Sequence, residues 1–138
     1  MQYFKDDSAV ITYDESFDMA LIIWDVKFIT HAQYQKVNTA LLQLILERNC
    51  TRLVCDTTNM GVLPMESQQW TKDELSPMYI QSSLQFTAIV TSKDVFNKVA
   101  MNNIVRKSNN THYNSIFFAN YPEALTWIKK QEVTKIVM

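Results

Sequence analysis

The residues best placed for chemistry follow a short apolar run, Leu53-Val54-Cys55. Asp56 closes that run, and Thr57, Thr58, Asn59, Met60 and Gly61 continue it as a polar stretch. A carboxylate at the carboxyl end of a buried strand can hold a cation or accept a phosphoryl group. It also commonly accepts hydrogen bonds from the N–H groups of its own loop. The two histidines, His31 and His112, have no nucleophile or second metal ligand adjacent in sequence, so a triad would have to be assembled in space. His31 stands in the first turn of a helix, where the dipole disfavours its cation. Cys50 and Cys55 read as free thiols, because a metal site would need further ligands nearby. No catalytic motif stands out.

Composition excludes several classes. The chain has one glycine, Gly61, whereas a phosphate-cradling loop needs several so that backbone N–H groups can converge on the anion. Nucleotide cofactors are therefore not expected, and no other cofactor or metal is implied. Thirteen basic and 14 acidic residues give a net charge of -1, which supplies no global field for nucleic acid. Arg106-Lys107 reads as a cation pair at a helix C-terminus rather than a nucleic-acid patch. No apolar run approaches the length of a membrane span, and Met1–Asp7 lacks the basic and apolar blocks of a signal peptide. The expectation is a reducing, cytoplasmic setting. A length of 138 residues suits a single domain, with its core over about 9–130.

The elements that must position these residues are legible in order. Ala9–Tyr13 and Met19–Trp24 read as an antiparallel hairpin, the second strand apolar enough to lie inside a sheet. Thr30 and Gln33 form a capping box before an amphipathic helix of about 17 residues, with Asn49 as its left-handed cap. The run Leu53–Cys55 is the expected central strand, opening into a loop from Asp56 to Gly61. Met65–Leu75 reads as a weakly patterned helix that Ser76-Pro77 interrupts, with a short turn over Met78–Gln81. Phe86–Thr91 is the next strand, and Ser92 caps a helix over about Lys93–Lys107. Ser108–Thr111 is a polar loop and Ser115–Ala119 the last strand. Asn120 then caps a helix with Pro122 in its first turn. The order β-β-α-β-α-β-α-β-α predicts an α/β fold, a mixed, mostly parallel sheet of about five strands with helices packed on it. The tail 131–138 has no assignment. Trp24, Trp70 and Trp127 read as packing residues, with Trp70 the one that could line a cleft.

Two known designs bear comparison with this order. A receiver domain would place an aspartate where Asp56 stands and a hydroxyl residue where Thr91-Ser92 stands. It would also need an acidic pair near Asp25 and a lysine at Asn120, and neither is present. The chain more closely resembles the STAS (anti-sigma-factor-antagonist-like) bacterial family. The resemblance rests on Leu21-Ile22-Ile23-Trp24, the helix after Thr30, Leu53-Val54-Cys55-Asp56, Trp70, Ala88-Ile89-Val90, and Phe117-Phe118-Ala119 with Ala124 and Trp127. It implies a non-enzymatic module that binds a protein partner. It also implies a phosphorylatable serine at the start of the helix after the central strand, which falls on Ser67. The second serine and the glycine of the family pattern are missing around it, where Gln68 and Gln69 stand.

The resulting expectation is an interaction module that binds a partner protein or a small apolar or anionic ligand. Its surface would be Asp56, Thr57, Thr58, Asn59, Gly61 and Trp70. The alternatives are a carrier of a lipid or hydrophobic metabolite and a small hydrolase with a dispersed site. A continuous apolar cavity under Met65–Ile80 would favour the carrier. A histidine within hydrogen-bond reach of Ser, Thr or Cys in a pocket would favour the hydrolase. Exposed strand edges make a homodimer a further expectation.

Overall fold

A computed structural model describes residues 1–95 and 114–133. Their strands form one six-stranded sheet in the order β1-β2-β3-β4-β5-β6. These are β1 (Gln2–Lys5), β2 (Ala9–Asp14), β3 (Met19–Val26), β4 (Arg52–Met60), β5 (Phe86–Val90) and β6 (Asn114–Phe118). The first two pairings are antiparallel and the remaining three parallel. The α-helices lying wholly among the described residues are α1 (His31–Arg48), α2 (Met65–Trp70), α3 (Ser76–Gln81) and α4 (Tyr121–Lys130). The fold is thus the expected α/β arrangement, with one strand more than anticipated. The extra strand, β1, has aromatic residues at its two central positions and no alternation to announce it.

Local chemistry explains most of the element ends. Thr30 Oγ1 accepts from the N–H of Gln33, and Gln33 Oε1 accepts from the N–H of Thr30, so both halves of the capping box are made. Asn49 ends α1 in the left-handed region, at φ 49°. Asn120 Oδ1 accepts from the N–H of Glu123 to start α4. Ser92 Oγ accepts from the N–H of Val95, and the rest of the helix expected after it lies outside the described residues. So do His112, Arg106, Lys107 and the loop 108–111.

Alternation along the strands divides the core between two faces. One face presents Ile11, Ile22, Trp24 and Leu53 to Val37, Leu41, Leu44 and Ile45 of α1. The other presents Met19, Val54, Ala88 and Val90 to Ala124 and Ile128 of α4. Burying each Ile, Leu, Val or Met among these contributes about 1.5–3 kcal/mol, which is the main force holding the layers together.

Two expected features differ. The stretch Asp56–Met60 is not a loop but the far half of β4, still paired with β3 through Asp25–Asn59 and Val26–Met60. Two steps along β3, Ile23 to Asp25, match three along β4, Asp56 to Asn59, so β4 carries a bulge. Two β-branched threonines favour an extended backbone there, and the polar side chains disguise it. Nor does Pro77 interrupt its helix. Residues 65–81 run on through a π-helical turn, Thr71–Leu75, into α3, where Pro77 occupies the first turn. Pro77 leaves one backbone donor out of that continuous ladder, directly after the Ser76 N–H has bonded to the Thr71 carbonyl five residues back. The wider π turn just before it relieves the crowding that a proline ring imposes on the preceding turn.

Candidate functional site

A cavity of about 520 Å³ lies between the sheet and the layer formed by α1, the π turn and α3. Its floor follows from strand register. Cys55, Ile89 and Phe117 stand side by side across β4, β5 and β6, and Leu53, Thr87 and Ser115 form the adjacent row. Thr57 extends the floor along β4. The bulge then shifts the alternation by one residue, so that Met60 rather than Asn59 faces the cavity. The far wall comes from Tyr34, Asn38 and Leu41 of α1, Thr71 and Leu75 of the π turn, and Ser76, Tyr79 and Ile80 of α3. Trp24 closes one end, stacked on Tyr34 with ring centroids 5.7 Å apart. The volume falls within the range of small-molecule sites, and the mostly apolar wall with a few polar groups is their usual composition.

The polar groups of the wall are tied to one another. Asn38 Nδ2 donates to the Tyr34 carbonyl at 2.9 Å, and Asn38 Oδ1 accepts from the Tyr79 phenol at 3.2 Å. The Tyr34 hydroxyl lies 2.7 Å from Thr71 Oγ1, and Thr71 donates onward to the Ser67 carbonyl at 2.8 Å. Thr57 donates to the Val90 carbonyl at 2.8 Å. Burial raises the Tyr34 phenol and pushes the Cys55 thiol up to about 12, so both stay neutral near pH 7.

The expected site residues are divided by this geometry. Thr57 joins the cavity wall. Asp56 points to the opposite face, where its charge adds to burial in raising Tyr121. Its Oδ1 accepts from the N–H of Thr58 at 3.0 Å, the local capping that aspartate commonly provides. Thr58 and Asn59 are exposed. Gly61 is held by a hydrogen bond from its N–H to the Val26 carbonyl, with its α-carbon against Lys27. Trp70 packs edge-on to Tyr34 and His31, behind the cavity wall rather than in it. Asp56 and Trp70 therefore do not share a surface. The residues missed were Trp24, Tyr34, Ile89 and Phe117. Their signal was present as alternate positions on successive strands and as the inner stripe of α1.

Ser67 is fully buried, and its Oγ lies 2.9 Å from His31 Nδ1. His31 Nε2 lies 3.6 Å from Glu66 Oε1, on a side chain that is largely exposed. This is the serine–histidine proximity that a hydrolase would need, but Ser67 has no open surface and does not line the cavity. The same burial means a kinase could reach Ser67 only if α2 lifted from α1. Cys50 and Cys55 are free, and among the described residues no three His, Cys, Asp or Glu side chains could hold a metal ion. No described helix is long and apolar enough to cross a membrane. No protein-family model, curated protein or solved structure matches this chain.

Proposed function

We propose that this chain is a non-enzymatic, STAS-like binding module whose cavity holds a small apolar molecule. The observation that carries the reading is the cavity itself, about 520 Å³ of mostly apolar space walled on one side by Thr71, Leu75, Ser76, Tyr79 and Ile80. A well-packed core leaves few voids larger than a water molecule. A partly open apolar space of this size among the described residues is suited to an apolar occupant. Of the sequence expectations, the small apolar ligand and the hydrophobic-metabolite carrier both draw support from it. A partner-protein surface at Asp56–Gly61 with Trp70 draws none, because those residues are dispersed over different faces.

The test is calorimetric titration of 1-dodecanol into the full chain and into an Ile89→Trp variant. Ile89 faces the cavity from β5, where an aromatic residue suits the strand and its ring would fill the space. Saturable one-to-one binding to the parent chain is expected, weakened about tenfold or more in a folded Ile89→Trp protein. Absence of saturable binding, or equal affinity in both proteins, would count against the reading.

A further inference from the structure

The wall of the cavity also constrains the polar end of its occupant, an inference that rests on the ligand-binding reading above. None of the described residues lining it carries a formal charge. Its hydroxyl protons are largely committed to the protein. Thr71 has one proton and aims it at the Ser67 carbonyl, which can only accept. The proton between Tyr34 and Thr71 must then come from the phenol. Thr57 likewise spends its proton on the Val90 carbonyl. The Tyr34, Thr57 and Thr71 oxygens accordingly offer lone pairs to a visitor, not protons. Ser76 and Ser115 line the same space with neutral hydroxyls.

A carboxylate drawn wholly into this space would leave its hydration shell, meet neutral hydroxyls at best and find no counter-charge among the described residues. Burying an unpaired ion is far more costly than burying a hydroxyl that finds a partner. A hydroxyl can donate to one of the committed oxygens and accept from a serine. We propose that the cavity selects an uncharged amphiphile with a hydroxyl head, of the long-chain alcohol class, over the carboxylate of the same chain length.

The experiment compares 1-dodecanol with dodecanoate at pH 8, each below its aggregation concentration, by calorimetric titration of the full chain. Each titration is repeated on Ile89→Trp, and only binding lost in that variant is assigned to the cavity. The expected result is cavity binding of dodecanol about tenfold or more tighter than that of dodecanoate. A smaller ratio, or tighter binding of dodecanoate, overturns the neutral-head selection while leaving ligand binding intact. If neither compound shows cavity binding, the ligand-binding reading falls and the selection falls with it.

Discussion

Gly61 lacks a side chain for reasons of contact rather than conformation. Its φ is not positive, yet a Cβ built there would overlap the carbonyl oxygen of Lys27. The two strand ends approach so closely that only hydrogen fits. Gly61→Ala should therefore destabilise the fold by about 1–3 kcal/mol, the usual cost of overpacking; a urea midpoint equal to that of the parent would contradict this. The thiols give a second prediction at this scale. Burial pushes Cys50 from 9.0 up to about 11 and Cys55 up to about 12. The folded state thus holds its thiol protons to higher pH than the unfolded state does. Their contribution to stability is full below pH 9 and is lost as pH rises through 11 and 12. Native protein at pH 8 should react slowly with a thiol-specific reagent, and both thiols should react promptly in denaturant. Prompt labelling of Cys55 in the native protein would show that the cavity admits water freely.

Among the elements, the attachment of α4 depends on one residue from the other end of the chain's order. Arg52 opens β4 and donates to three carbonyls, of Phe17, Ile128 and Gln131. Its guanidinium also lies over the Phe17 ring. Two of those carbonyls belong to the C-terminal end of α4 and the residue that caps it, where the negative dipole end favours a cation. A lysine ammonium cannot span three acceptors from one position. Arg52→Ala should cost about 2–4 kcal/mol, given about 1.5–3 kcal/mol for a single charged hydrogen bond and incomplete additivity. Arg52→Lys should recover less than half of the loss, as read from thermal or urea unfolding. This contact could not be read from sequence, because its partners are backbone carbonyls distant along the chain. The capping residues Thr30, Asn49 and Asn120 were legible because their chemistry is confined to a few neighbouring positions. The far half of β4 was not: Thr57, Thr58 and Asn59 look like loop residues, and only pairing with β3 keeps them extended. Pro77 misled for a related reason, since its effect depends on the π turn before it.

For the molecule as a whole, parallel pairing of β3 to β6 aligns side chains from separate segments into one floor. Helix α1 and the π turn roof part of that floor and leave the cavity between them. The fold class was legible because hydrophobic period and strand order report it directly. The site was not, because a cavity belongs to the packing of layers and no single stretch encodes it. Reading the strand-end residues Asp56–Gly61 as a rim overlooked that β4 continues through them, with Thr57 inward by plain alternation and a bulge that turns Met60 inward and leaves Asn59 outside. A crystal structure of the full chain grown with 1-dodecanol tests the central claim most directly. The account predicts an alkyl chain lying between Trp24 and Phe117, its hydroxyl within hydrogen-bond reach of the Tyr34–Thr71 pair or Thr57. A collapsed or water-filled cavity, with the alcohol bound elsewhere or not at all, would contradict it.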